Sequence, residues 1–297
     1  MMPQVSADTD QRVRSDSRSR SEAPLVRQMQ SPIPKRIIQT GKSVDQPLRY
    51  RAMMNTVRLL HPDYEYLFLD NGQVDAFVND EFPEYKKVFD AFRIPIQKYD
   101  FFRYLAVYRL GGFYLDLDVL LAFELTSLLG LGCVFPFEGL TLSSFLRQEH
   151  RMDWEIGNFA FGAAAGHPFL AAIIENCVRA QKEPDWVNPM LRGAPRLFRS
   201  EYAVLNSTGP GLISRTLAEH PELSKQVTVL FPDDVCDANG WNRFGEFGIH
   251  FMGGSWRKES TRVSRRLAQR WENWTMQRLL KESRKLGKTR NHGQAAS

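Results

Sequence analysis

The sequence predicts an α/β fold: a mixed, mostly parallel sheet flanked by helices. Three observations carry that expectation. Strand-like and helical runs alternate over residues 36–121, the pattern of a sheet covered by helices. Apolar residues make up 43% of a 297-residue chain, enough for one sizeable core. Two aspartates spaced two apart fall where a strand ends, and ligands of such sheets gather at strand carboxyl ends.

Arg36–Gln39 reads as the first strand. Leu48–Leu60 has helical spacing, with Met53, Val57 and Leu60 on one side, and His61-Pro62 stops it. Tyr64–Leu69 is the second strand, closed by the turn signal Asp70-Asn71-Gly72. Short helices are expected over Val74–Asn79 and Glu84–Phe92. The stretch Lys98–Leu121 organises the rest. Phe101, Leu105 and Tyr108 stand at i, i+4 and i+7, widened by Phe102 and Ala106 into a buried stripe. Asp100 and Arg103, three apart, share a helical face. Gly111-Gly112 ends that helix, and Phe113–Val119 is expected as a strand, which puts Asp116 and Asp118 on one side of it with their carboxylates close together.

Further on, Cys133–Phe137 and Ser143–Gln148 read as strands. Residues 158–165 pass from strand through small residues, which admit a ligand or another backbone closely, to a helix starting near Pro168. Thr208 reads as the N-cap of a helix reaching His220. Val227–Phe231 is a further strand, and His250 stands at the end of another.

Two neighbouring carboxylates repel unless a cation sits between them, and the pair Asp116 and Asp118 suits Mg²⁺ or Mn²⁺ completed by phosphate oxygens. His250 adds a candidate ligand, and Gly253-Gly254-Ser255 offers N–H groups and a hydroxyl to a phosphate. A lone Asp-X-Asp is more often a solvated turn, and a lone histidine more often a satisfied core residue. Here the two stretches stand in one chain.

The residues Asp100, Arg103, Leu105, Gly111-Gly112, Tyr114, Asp116 and Asp118, in this order and spacing, resemble the glycosyltransferases with a DxD sugar-binding motif. That family includes yeast-type initiating mannosyltransferases and bacterial capsule enzymes, with clostridial glucosylating toxins as distant relatives. The family's histidine followed five residues later by Ser-Trp is met by His250, Ser255 and Trp256. The resemblance implies a GT-A type nucleotide-diphospho-sugar transferase. Its reaction would move a hexose from a UDP- or GDP-hexose donor to a glycan, lipid-linked or other hydroxyl acceptor, with retention of anomeric configuration. It implies Asp116, Asp118 and His250 as ligands of Mn²⁺ or Mg²⁺, Asp100 and Arg103 at the donor sugar, and Ser255 and Trp256 at the diphosphate. Gln39 and Thr40 would lie near the nucleotide, and Asn158 and His167 on the acceptor side. Gly41 departs from the pattern, standing where the family carries Trp.

The remaining composition sets bounds. The net charge of +5 is concentrated at the ends. Residues 1–30, rich in Ser, Arg and Asp, are expected as a disordered basic tail, 31–256 as the transferase domain, and 257–297 as a basic amphipathic helix and tail. That helix carries Val263, Leu267, Trp271 and Trp274 on one face, which either packs on the domain or makes a peripheral membrane contact. The most apolar run, Val119–Phe137, is broken by Glu124, Gly130, Gly132 and Pro136, and Gln4–Arg20 has no apolar signal core. Neither a transmembrane segment nor a signal peptide is read from it, unlike fungal members of the family with an N-terminal anchor. Cys133, Cys177 and Cys236, odd in number and widely spaced, read as reduced thiols and favour a cytoplasmic, at most membrane-associated, location.

Two other functions compete. Phosphohydrolases of the haloacid dehalogenase type use Asp-X-Asp after a strand, and Asp233-Asp234 could mimic their later acidic pair, but Leu120 stands where they carry Thr or Val. A non-enzymatic protein could use its basic ends on a membrane or nucleic acid, yet no nucleic-acid-binding motif is present, and no nucleic acid partner is expected.

Overall fold

The structure, a computed structural model, describes residues 31–192, 194–251, 267 and 270–281. In chain order its strands and helices are β1 (Arg36–Thr40), α1 (Leu48–Leu60), β2 (Glu65–Leu69), α2 (Asn71–Glu81), α3 (Lys86–Ala91), α4 (Pro95–Leu110), β3 (Gly112–Leu115) and β4 (Val119–Leu121). There follow β5 (Cys133–Leu140), α5 (Ser144–Glu149), β6 (Trp154–Ile156), β7 (Ala160–Ala163), α6 (Pro168–Lys182), α7 (Arg199–Ser207), α8 (Pro210–Glu219) and α9 (Pro221–Ser224). The last three are β8 (Thr228–Leu230), β9 (Arg243–Phe244) and β10 (Gly248–His250).

The large sheet has the order β2-β1-β3-β7-β5-β6, with β8 also paired to β5. The pairs β1/β2, β1/β3 and β5/β8 are parallel, while β3/β7, β5/β7 and β5/β6 are antiparallel. Only β6 and β7 therefore run against the rest, as the expectation of a mixed, mostly parallel sheet has it. A small antiparallel sheet, β4-β10-β9, stands beside it.

Alternation along the central strands divides the core in two. Ile38 and Tyr114 pair across β1 and β3 and join one cluster with α4, α6 and α8, while their neighbours Ile37 and Phe113 join the other, with Val57, Val119, Val134 and Phe244. Strands covered on both faces read as nearly continuous apolar runs, as β3 does. Helix α4 is buried without interruption from Asp100 to Val107. A helix so enclosed cannot hide its charges in solvent, so Asp100 and Arg103 must satisfy each other and their neighbours. The turn that delivers its chain to β3 needs glycine: Gly112 has φ of 106°, and a Cβ there would lie 2.6 Å from the Arg36 carbonyl.

Three sequence expectations are corrected. The strand expected over Phe113–Val119 is broken: β3 ends at Leu115, β4 begins at Val119, and Asp116–Asp118 form a turn closed by Val119 N–H to Asp116 O at 3.1 Å. The chain leaves one sheet for the other at this point, so the convergence of the two carboxylates comes from a turn rather than from strand alternation. Ser143–Gln148 belongs to helix α5, with Ser143 as its cap, and buries the adjacent pair Phe145 and Leu146. Thr208 ends α7 instead of opening α8, whose entry is set by Gly209 and Pro210.

The small residues of β7 make room for the protein itself. A Cβ on Gly162 would meet the Phe113 ring at 2.5 Å. Gly162→Ala is expected to lower stability by about 1–3 kcal/mol through overpacking, read as a lower urea midpoint; an unchanged midpoint would mean the ring yields freely.

Of the C-terminal segment, 270–281 is helical. Trp271 meets Tyr202 edge-on at 5.9 Å between ring centroids, and Tyr202 donates to Glu272 at 3.0 Å. Trp271 thus packs on α7, whereas Trp274 is 61% exposed. No helix among the described residues is long and apolar enough to cross a membrane.

Candidate active site

Helix α4 aims Asp100 and Arg103 into the interior below the Asp116–Asp118 turn. Arg103 Nη2 meets Asp100 Oδ1 at 2.9 Å, and Nη1 donates to Asn158 O at 2.7 Å and lies 3.3 Å from Asp116 Oδ1. The guanidinium also sits 4.7 Å from the centroid of the Tyr114 ring. Both charges are buried, Arg103 at 3% and Asp100 at 5% exposure. Asp100 accepts from Asn158 Nδ2 at 3.1 Å and Thr208 Oγ1 at 3.0 Å as well. Asn158 Nδ2 donates also to Tyr104 OH, which in turn donates to Thr208 O at 2.6 Å. Burial pushes the Asp100 carboxyl up to about 6 against the pull of Arg103, with Asp116 adding to the rise. Burial alone would lower the Arg103 pKa; the carboxylates of Asp116 and Asp100 help to outweigh it, and the guanidinium stays charged.

The turn itself is held from behind. Asp116 N–H donates to Phe159 O at 2.7 Å. Gln39, fully buried on β1, donates to Leu115 O and Asp116 O at 3.3 and 3.4 Å and accepts from Tyr66 OH at 2.8 Å. Thr40 Oγ1 lies 3.1 Å from Tyr114 OH, which donates to Asp116 Oδ1 at 3.0 Å. Gln39 and Thr40 therefore reach the Asp pair through its backbone and through Tyr114.

His250 arrives from the other end of the sequence. Register places it opposite Val119, next to Asp118, and its N–H donates to Asn242 O at 2.9 Å. Its ring stacks on Phe159 at 4.5 Å and 14°, and Nε2 lies 3.2 Å from Asp118 Oδ1. Burial opposes protonation of this imidazole, but the hydrogen bond to Asp118 and the Asp116 carboxylate outweigh it and raise its pKa. One ligand atom from each of Asp116, Asp118 and His250 lies within 4.8 Å of the other two. Ser255 and Trp256 lie outside the described residues.

The acceptor-side pair is separated. Asn158 joins Asp100 and Arg103 in the buried network. His167 lies beyond the Ala163 end of β7, which pairs with Gly112, while the Asp pair is at the Ala160 end, opposite Leu115. His167 is the cap of α6: Nδ1 accepts from Phe169 N–H at 3.3 Å, and Nε2 is buried without a hydrogen-bond partner among the described residues. Burial lowers its pKa to about 4. An unfolded imidazole takes its proton near pH 6.5, so this contribution to stability is complete above about 6.5 and is lost as pH falls toward 4, at roughly 1.4 kcal/mol per unit. His167→Asn keeps a capping acceptor that does not titrate. Its urea midpoint should fall less steeply over that window than the wild type's, and identical slopes would refute the assignment.

Tyr104, Thr208, Tyr66 and Phe159 join the site with no signal in the sequence around them. Each acts through a contact at least 27 residues away in sequence, and no local pattern marks such a contact. Tyr114, two before Asp116, was marked through the motif alone.

Residues 47–132 match the family described as a glycosyltransferase sugar-binding region containing DXD motif. Over 148 residues the chain is 32% identical to inositol phosphoceramide mannosyltransferase 3 of Schizosaccharomyces pombe, covering 50% of this chain and 38% of that protein. Over 231 residues it is 28% identical to inositol phosphoceramide mannosyltransferase 2 of the same yeast, covering 75% of this chain and 58% of that one. The chain thus spans between two-fifths and three-fifths of these relatives' own length. Among solved structures, the ligand-free glycosyltransferase domain from the YGT toxin is similar with a TM-score of 0.45 at 9% identity, covering 67% of this chain and 80% of that one.

Proposed function

We propose, from the match of residues 47–132 to the glycosyltransferases whose sugar-binding region contains the DXD motif, that the protein moves a hexose from a nucleotide diphosphate sugar to a hydroxyl acceptor. The observation that carries this reading is the convergence of Asp116, Asp118 and His250 within 4.8 Å beside the buried Arg103. Both relatives are named as mannosyltransferases of inositol phosphoceramide, which favours mannose as the hexose and a lipid-linked acceptor. Retention of configuration goes with the family resemblance.

Two carboxylates and an imidazole make a donor set that Mn²⁺ accepts and that Mg²⁺ accepts less readily for its nitrogen. Asp100 and Asp116 share the one Arg103 guanidinium, and Asp118 adds a third carboxylate within 4.8 Å of Asp116, an excess of negative charge that a divalent cation matches. Held by Asp116, Asp118 and His250, such an ion would supply positive charge against the departing diphosphate.

The protein's own groups do the rest. Arg103 offers a permanent positive charge beside the leaving group, and its Nε–H is buried without a hydrogen-bond partner among the described residues. Asp100 takes donors from Arg103, Asn158 and Thr208. With about four acceptor sites on a carboxylate, one is left for a sugar hydroxyl. Gln39 and Thr40 position the Asp turn from behind, Asn158 positions Asp100 and Arg103, and Ser255 and Trp256 are assigned to the diphosphate on the resemblance alone.

A thermal-shift series with UDP, GDP and their hexoses, with and without Mn²⁺, tests the reading. Saturation at a hundred times Kd stabilises by about 2.7 kcal/mol, so a metal-dependent rise with one nucleotide is expected. If no nucleotide raises the melting temperature in either condition, the transferase reading is lost.

A further inference from the structure

Strand β5 carries a bulge beside the site. Phe137 pairs with Ile156 and Gly139 with Glu155, so Glu138 is an extra residue on its strand. Bulges re-aim a side chain and cluster next to active sites. The strand opposite runs on through Gly157 and Asn158 to Phe159, which lead into the Asp100–Arg103 network and to the face of His250. The Glu138 carboxylate is aimed at that segment: a Cβ on Gly157 would lie 2.4 Å from Glu138 Oε2 and 2.8 Å from Phe159 Cε1. Glycine at this position leaves room for the carboxylate and the ring edge together. Oε2 is buried there, beside the ring on which the His250 imidazole stacks at 4.5 Å.

That imidazole has a need which the ligand trio does not meet. Its Nε2 faces Asp118 Oδ1 at 3.2 Å, while Nδ1 is buried without a hydrogen-bond partner among the described residues. An imidazole that offers Nε2 to a metal ion carries its proton on Nδ1, and a buried N–H without an acceptor is costly. A carboxylate that accepts from this N–H fixes the tautomer, orients the ring and makes Nε2 a stronger ligand. Asp116 and Asp118 are ligands themselves, and Glu138 is a third carboxylate whose charge acts on His250. Its placement also carries a conflict. Burial raises the Glu155 carboxyl to about 7, and Glu138 adds to the rise, so the two repel when both are ionised. Proteins keep such conflicts where function needs them.

We propose that Glu138 is a positioning residue of the metal site: its carboxylate accepts from the His250 Nδ1–H and so holds Nε2 toward the ion shared with Asp116 and Asp118. This role rests on the transferase reading for its ion, whereas the place of the carboxylate beside the Phe159 ring does not.

The test is titration of Mn²⁺ alone into the full chain, with the free ion read by electron paramagnetic resonance, for wild type, Glu138→Gln, His250→Ala and the double variant. Glu138→Gln is expected to raise the Mn²⁺ Kd by about tenfold, the lower end of what losing such a partner does. In the His250→Ala background the same change should have no further effect, because the acceptor has lost its donor. A residue that acts only through the fold, or only as a distant charge, would weaken binding in both backgrounds alike. Glu138→Asp keeps the charge and shortens its reach by one methylene, so it should weaken Mn²⁺ binding as well, and it takes the place of Glu138→Gln in both backgrounds if that variant does not fold. Wild-type affinity in either Glu138 variant, or losses that multiply in the double variant, would overturn the proposal. A wild type that binds no Mn²⁺ removes the metal site and this role with it. Mn²⁺ bound with independent losses leaves the metal site standing and removes the role of Glu138 alone.

Discussion

Arg103→Met is expected to cost about 3–5 kcal/mol of stability, the usual consequence of removing one partner from a buried ion pair. The methionine fills much of the arginine's volume, so the loss is electrostatic. Asp100, at 5% exposure, keeps only the Asn158 and Thr208 donors, Asp116 loses its nearest cation, and the Asn158 carbonyl loses a donor at 2.7 Å. The Asp100 carboxyl, already raised to about 6 by burial, climbs further without the guanidinium. A carboxyl whose folded pKa exceeds its unfolded value near 3.9 is best tolerated below that value, and it costs stability as pH rises through the folded one. The deficit of Arg103→Met should therefore be smallest in acid and largest above pH 6. Urea unfolding at several pH values reads this directly. Asp100→Asn combined with Arg103→Met should lose less than the sum of the single changes, with a coupling of about 1–3 kcal/mol. A neutral-pH midpoint equal to wild type would dismiss the buried network as a structural element.

Asp118→Asn is expected to lower hexosyl transfer by about 10²–10³, the scale set by removing one electrostatic group from a developing negative charge, and to abolish the Mn²⁺-dependent thermal shift. Its fold should survive better than that of an Asp116 variant, because Asp118 Oδ1 faces the His250 imidazole at 3.2 Å, whereas Asp116 faces the buried Arg103. Asp116→Asn should lose transfer and stability together, since Asp116 also accepts from Tyr114 and faces Arg103. A melting-temperature comparison of the two metal-free variants separates these roles. If both melt alike, the division between a metal-facing and a network-facing aspartate fails.

What the sequence made legible was governed by short-range periodicity. The stripe of Phe101, Leu105 and Tyr108 announced α4, and the three-residue spacing of Asp100 and Arg103 announced a contact found at 2.9 Å. Longer-range pairing decided the rest. β3 stops at Leu115 because the next residues cross between sheets, and nothing in the alternation of 113–119 signals a change of partner. Ser143–Gln148 resembled a strand until its cap and the neighbouring Phe145 and Leu146 were seen against the core. Thr208 looked like a helix cap because its neighbours are Gly and Pro, while its hydroxyl serves a carboxylate 108 residues earlier. Asn158 and His167 share an acceptor-side assignment through the resemblance alone, and the four residues of β7 carry them to opposite ends of that strand.

The pairing of β10 with β4 has a bearing on how the site comes into being during synthesis. Asp118 emerges from the ribosome long before His250, and the two meet only once Gly248–His250 zips against Val119–Leu121. A nascent chain halted before β10 holds both aspartates and their arginine but lacks the imidazole. Because side chains alternate along a strand, a one-residue slip in this late pairing would turn His250 out and Ile249 in. Completion of the donor site is therefore a checkpoint on the last described strand, and an ion that prefers the finished trio would favour the correct register over its neighbours.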